Sequence, residues 1–127
     1  MTNTQTAPTL YERLGGKAAI DAAVDLFYGR VLADKRINRF FQGVDMRRQA
    51  AKQRAFLAYA FGAPVKYTGK DMRSAHAPLV AQGLNDSHFD AVAENLALTL
   101  AELDVPAELI REVLLIAAST REDVLGR

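Results

Sequence analysis

His76 stands on the apolar side of a helical segment with Met72, Ala75, Leu79 and Val80. An imidazole in that setting needs a partner for its ring nitrogens, either an internal hydrogen bond or a metal. On the residues alone, a satisfied core histidine and a metal ligand both stay open. Gln49 and Gln53 pose a parallel question. Projecting residues 45–61 at about 100° per residue puts Met46, Ala50, Leu57, Ala60 and Phe61 in one arc. Gln53 falls near the centre of that arc, Gln49 close by and Lys52 on its border. A buried amide without a partner costs roughly 1–3 kcal/mol, so inward amides require an internal network, water or a ligand. His88, flanked by Asp86, Ser87 and Asp90 at a helix start, reads as solvated.

The elements that must position these side chains are helices. Ala and Leu dominate, and apolar residues recur at i, i+3, i+4 almost throughout, which predicts an all-α class. The first long helix is expected over about residues 16–32, with Ile20, Ala23, Val24, Phe27 and Val31 on one face and Tyr28 on its shoulder. Ile37, Phe40 and Phe41 form a short aromatic turn that Gly43 can end. Asp45 is a good N-cap for the helix that ends near Phe61 at Gly62 and Pro64. The stretch from Tyr67 to Lys70 reads as irregular, and Gly83 closes the His76 segment. Asp86 or Ser87 can cap the next helix, whose inward residues are Phe89, Val92, Ala93, Leu96, Leu100 and Leu103. Pro106 suits the first turn of the last helix, with Leu109, Val113, Ile116 and Ala117 inside. Residues 1–8 read as a flexible N-terminal arm and residues 9–127 as one domain.

Composition removes many functions. With 127 residues, half of them hydrophobic, the chain can bury a full core. A net charge of +1 gives no global field toward nucleic acid or anionic membranes, so neither is an expected partner. The absence of cysteine excludes disulfides, thiolate metal sites and a thiol nucleophile. Two histidines cannot build a His-rich metal centre in one chain. No nucleophile elbow, phosphate loop or inward carboxylate pair is present. The longest uncharged apolar run, residues 113–118, is too short to span a bilayer, and the N-terminus lacks a signal-peptide pattern, so a cytoplasmic location is expected.

Several runs, in order, resemble group I truncated haemoglobins, the two-over-two helical haem proteins, and the cyanobacterial-type members most of all. They are Leu10-Tyr11-Glu12 with Gly15-Gly16, the stretch Phe27-Tyr28-Gly29-Arg30-Val31-Leu32, Phe40-Phe41, Gln49 with Gln53, and Tyr59-Ala60-Phe61-Gly62. Met72-Arg73-Ser74-Ala75-His76 and the stretch from Gly83-Leu84 to His88-Phe89-Asp90 complete the set. The resemblance implies a two-over-two helical sandwich around one haem, with His76 as the proximal iron ligand. It makes Phe41 the aromatic packed on the porphyrin, with Phe40, Phe56, Met72, Leu79, Phe89 and Val92 as further walls; ordinary core packing predicts the same burial.

Tyr28, Gln49 and Gln53 match the family's distal cluster, whose donors stabilise the partial negative charge of a dioxygen ligand. The resemblance thus implies binding of dioxygen and other diatomics, used in nitric oxide detoxification with an external reductant, in a monomeric chain. Whether that use is enzymatic nitric oxide dioxygenation stays open. The alternative is a six-coordinate electron-transfer or redox-sensing protein. Lys52 stands where cyanobacterial relatives have a second iron-binding histidine and some algal relatives a lysine; it is either a conditional distal ligand or directed to solvent or a haem carboxylate. Thr120 stands near the place of a histidine that in such relatives bonds to a haem vinyl, so non-covalent haem b is expected. Ala63 replaces a glycine common among relatives, and Pro78, two residues after His76, predicts a short or irregular proximal helix. Arg48 and Arg73 either meet the haem carboxylates or stay solvated.

Overall fold

The computed structural model describes residues 8–62 and 69–127. Most of the expected N-terminal arm, Ala63, Pro64, Tyr67 and Thr68 therefore lie outside the described residues. Among the described residues every regular element is helical: α1 (Leu10–Leu14), α2 (Gly16–Ala33), a 3-10 turn (Asn38–Phe41), α3 (Met46–Ala60), α4 (Gly69–Ala81), α5 (Asp86–Glu102), α6 (Ala107–Ala118) and α7 (Arg121–Leu125). Helix α2 packs on α3 and on α5, and α5 packs on α6, so two helix pairs lie against each other. Helix α7 folds back onto α4. Val24, Val31, Ile37, Val113 and Thr99 sit at the centre of the core with no more than 1% of their surface exposed.

Local signals explain the ends of these elements. Thr9 caps α1 through a reciprocal box: its hydroxyl accepts from the Glu12 amide, and the Glu12 carboxylate accepts from the Thr9 amide, each at 3.1 Å. Tyr11 N then donates to Phe61 O at 2.8 Å, tying α1 to the end of α3. That crossing requires Gly62, which has a φ of 98°, because a Cβ there would come within 3.0 Å of Thr9 Cβ. Asp45 caps α3 as its position predicts, accepting from Arg47 N and Arg48 N. Arg54 of α3 reaches Asp21 at 3.2 Å and Asp25 at 3.0 Å on α2, fixing the relative rotation of the two helices.

Several local expectations are corrected. Asn85, not Asp86 or Ser87, caps α5. Its side-chain Oδ1 accepts from Ser87 N while its backbone N–H donates to His88 Nδ1. Gly69 and Lys70 are helical, because α4 begins before the apolar periodicity does. Pro78 does not break α4, which runs through it to Ala81. Ser74 and Pro78 both face solvent, so the carbonyl that loses its amide partner can be hydrated and the ring clash falls away from the core. Ala75 and Leu103 are exposed rather than inward. Pro106 is the N-cap of α6, one place ahead of its expected site. The short helices α1 and α7 carry too few turns to show periodicity.

The polar residues Asn95 and Thr99 are buried in α5. Asn95 Nδ2 donates to Asp34 Oδ2 and to Ala91 O, both at 2.9 Å, while Thr99 Oγ1 donates to Asn95 O at 2.8 Å. The Arg36 guanidinium, with Asn95, holds the Asp34 carboxyl far below the usual carboxylate range. A carboxyl depressed in this way stabilises the fold above its ordinary pKa and loses that contribution as acid protonates it. Asn95→Ala is expected to cost about 1–3 kcal/mol, because it leaves buried acceptors without their donor. A urea titration at neutral pH checks this: the midpoint falls with the m-value unchanged.

Candidate functional site

A cavity lies between the two helix pairs, with about 1030 Å³ of space free of atoms, part of it open to solvent. Its walls bring together Tyr28, Phe40, Phe41, Gln49, Gln53, Phe56, Met72, His76, Leu79, Phe89 and Val92, residues spread over α2, the 3-10 turn, α3, α4 and α5. Of the residues singled out from sequence, Lys52, Arg48 and Arg73 stay outside: they are exposed and do not line the cavity.

Helix α4 sets the first pole of the site. His76 Nδ1 lies 2.7 Å from Met72 O, one turn back along the helix. A carbonyl only accepts, so Nδ1 carries the proton and Nε2 keeps its lone pair. Nε2 has no partner among the described residues. Met72 is buried and Leu79 packs against the core. The chemistry is that of a preoriented imidazole ligand whose outer nitrogen is fixed by a backbone carbonyl.

Helices α2 and α3 set the second pole. Gln49 Nε2 donates to the Tyr28 hydroxyl at 3.3 Å, so the phenol proton remains available to donate elsewhere. Phe27 and Phe41 hold the Tyr28 ring, with centroids at 5.2 and 5.9 Å. Burial pushes the Tyr28 pKa above its ordinary value, against the opposing effect of the Gln49 hydrogen bond. The phenol is therefore a neutral donor at physiological pH. Gln53, half-buried on the same wall, makes no hydrogen bond among the described residues. The two inward amides are thus used differently: one orients the phenol, and the other has its polar atoms left for a cavity occupant.

One polar lining residue, His88, escapes the sequence reading. His88 is half-buried against the cavity rather than solvated, and its ring stands edge-on to Phe40 with centroids 4.9 Å apart. A signal existed in Asn85-x-x-His88, in which an acceptor three residues after an N-cap folds back onto the cap. Thr120 also lines the cavity, its hydroxyl donating to Ala117 O at 2.7 Å. Arg73 is engaged elsewhere: it binds Asp123 and Arg127 O, both at 3.0 Å, and so clamps α7 to α4. Arg48 is exposed on α3.

One oriented imidazole, a phenol and two amides line the same apolar, aromatic-walled cavity between helix pairs, an arrangement that defines an all-α globin. The chain belongs to the bacterial-like globin family, whose model matches residues 9–125. It is 56% identical over 122 residues to the group 1 truncated hemoglobin GlbN of Synechocystis, covering 94% of this chain and 98% of that protein. The 2/2 hemoglobin of Synechococcus, solved in the cyanomet state with covalently attached heme, superposes with a TM-score of 0.90 at 54% identity, over 94% of this chain and 100% of that one. The truncated hemoglobin of Tetrahymena pyriformis, in its Fe(III) form, gives 0.86 at 46% identity over 94% and 100%. These likenesses place the chain among the two-over-two truncated haemoglobins, and family membership implies a haem. The donor set fits that group: one imidazole nitrogen with a free lone pair on α4, aromatic walls for a flat macrocycle, and neutral donors on α2 and α3. Among the described residues no helix is long and apolar enough to cross a membrane.

Proposed function

We propose that this globin holds one non-covalent haem b per chain through His76 Nε2 and binds dioxygen and related diatomic ligands opposite it. The carrying observation is the His76 Nδ1 contact with Met72 O, which leaves one ring nitrogen for coordination in the cavity that Tyr28, Gln49 and Gln53 line. When bound, the haem iron supplies the site for a diatomic ligand and a one-electron redox couple. Tyr28 donates its phenol proton to the negative end of that ligand, and Gln49 holds the phenol oxygen in place. Gln53 adds an amide from the same helix, and the apolar walls keep bulk water from competing for these donors.

Retention of dioxygen beside such donors suits oxidation of nitric oxide: nitric oxide, dioxygen and one electron give nitrate, with the electron returned by an external reductant. The roles assigned to His76, Tyr28, Gln49 and Gln53, with Phe40, Phe41, Phe56, Met72, Leu79, Phe89 and Val92 as haem-contacting walls, belong to this proposal, as do a monomeric state and a cytoplasmic location. Mixing the dioxygen-loaded protein with nitric oxide tests it. Stoichiometric nitrate with oxidation of the haem supports the reading, and retained dioxygen with no nitrate overturns the detoxification role.

Electron transfer or redox sensing would need Lys52 to occupy the sixth position in both oxidation states. Its exposed placement favours gas binding and leaves it as a conditional ligand that must swing inward and lose its proton first. The ferric protein is therefore expected to gain a six-coordinate low-spin spectrum as pH rises, and Lys52→Ala to lack that change. Identical spectra for the two proteins across pH would remove Lys52 from the iron's ligands. Covalent attachment belongs to the Synechococcus structure. Here Thr120 offers no imidazole to a vinyl group, so acid–acetone is expected to extract the haem completely, and haem left on the protein would contradict this.

A further inference from the structure

We propose that His88 anchors the haem by donating its Nε2 proton to a porphyrin carboxylate at the rim of the cavity. This rests on the haem reading above. A haem buries a flat apolar macrocycle but carries two carboxylates, and a carboxylate entering a cavity needs a donor. Among the described lining residues there is no lysine or arginine. Tyr28, Gln49 and Gln53 serve the diatomic ligand, the Nδ1 proton of His76 is tied to Met72 O, and the Thr120 hydroxyl donates to Ala117 O. Arg73, the arginine nearest the ligand histidine in sequence, is turned to Asp123 on α7. His88 remains.

The structure orients it for the task. Asn85 N donates to His88 Nδ1 at 3.0 Å, so in the neutral ring the proton sits on Nε2. The edge-on contact with Phe40 fixes the ring plane, and Arg39 covers the same Phe40 ring with its guanidinium 4.1 Å from the centroid. Nε2 itself has no partner among the described residues. His88 is half-buried, which suits a group that must meet a carboxylate emerging toward water. It also lies in the first turn of the 17-residue helix α5, whose amide dipoles favour an adjacent anion. The carboxylates that could repel that anion are neutralised: Asp86 is held by Arg121 and Arg127, and Asp90 by Arg121, at 2.8–3.0 Å.

The test compares wild type with His88→Phe, which keeps an aromatic ring against Phe40, and with His88→Glu, which keeps an acceptor for the Asn85 amide but no donor. Each is loaded with haem or with haem dimethyl ester, and transfer to excess apomyoglobin is followed in the Soret band. With native haem, both variants are expected to lose haem about tenfold faster than wild type, the effect of one charge-assisted hydrogen bond near solvent. With the ester, wild type and His88→Phe are expected to release it at the same rate. A difference that persists with the ester would assign His88 a packing role and overturn the proposal, as would equal rates with native haem. Failure of the wild type to take up haem at all would instead overturn the reading of the cavity, and this proposal with it.

Discussion

His76→Ala is expected to abolish stoichiometric haem binding while the chain stays folded. The side chain lines the cavity and makes its polar contact only with Met72 O on its own helix, so its removal breaks no bond between elements. Loss of groups that merely orient a metal ligand costs roughly 10–100-fold in affinity, so loss of the ligand itself should exceed that range. The visible spectrum of the reconstituted protein, ferric and dithionite-reduced, is the measurement, beside a far-ultraviolet circular dichroism spectrum to confirm the helices. Free imidazole should restore a histidine-ligated spectrum, because the space left by the side chain is apolar and of matching size. A mutant spectrum identical to wild type would return His76 to the role of a core histidine and remove the basis of the proposed function.

Tyr28→Phe should accelerate dioxygen release by about 10–100-fold. A hydrogen bond to a charged group contributes about 1.5–3 kcal/mol, and each 1.4 kcal/mol is a factor of ten. Phenylalanine preserves the packing against Phe27 and Phe41, so the change isolates the hydroxyl. Gln49 then loses the oxygen to which its amide donates, and it can turn toward the ligand and recover part of the loss. The double variant Tyr28→Phe with Gln49→Leu should therefore release dioxygen faster than either single change, and less than additively if the two groups act as one unit. Stopped-flow displacement of dioxygen by carbon monoxide reads all three rates. An off-rate unchanged in Tyr28→Phe would exclude the phenol from ligand stabilisation and shift that role to Gln53.

The fold was largely legible because its long helices repeat their apolar residues every three or four positions and carry local punctuation. Asp45 before α3 and Gly83 after α4 act within one turn of chain, so their effect can be read without knowing what packs where. The same locality explains the misreadings. Proline two residues beyond His76 signals disruption, and only the placement of Ser74 and Pro78 toward solvent makes the continuous helix tolerable. Asp86 and Ser87 lose the cap of α5 to Asn85 because Asn85 is the residue with extended backbone angles, while both of them are already helical.

Sequence by itself determined the helical class, the inward pair of amides on α3 and the histidine that shares an apolar face with Met72 and Leu79, since each follows from periodicity along one helix. Only the tertiary structure decided which of these meet. Tyr28 and Gln49 are 21 residues apart in sequence yet form one donor pair because α2 crosses α3, with Arg54 bridging to Asp21 and Asp25. His88 changes from a solvated residue to a cavity wall because the cap of α5 turns its ring onto Phe40, which a separate element supplies. Lys52, at the border of the inward arc, falls outside the cavity because the small rotation of α3 about its own axis, set by long-range packing, decides which border residues face in.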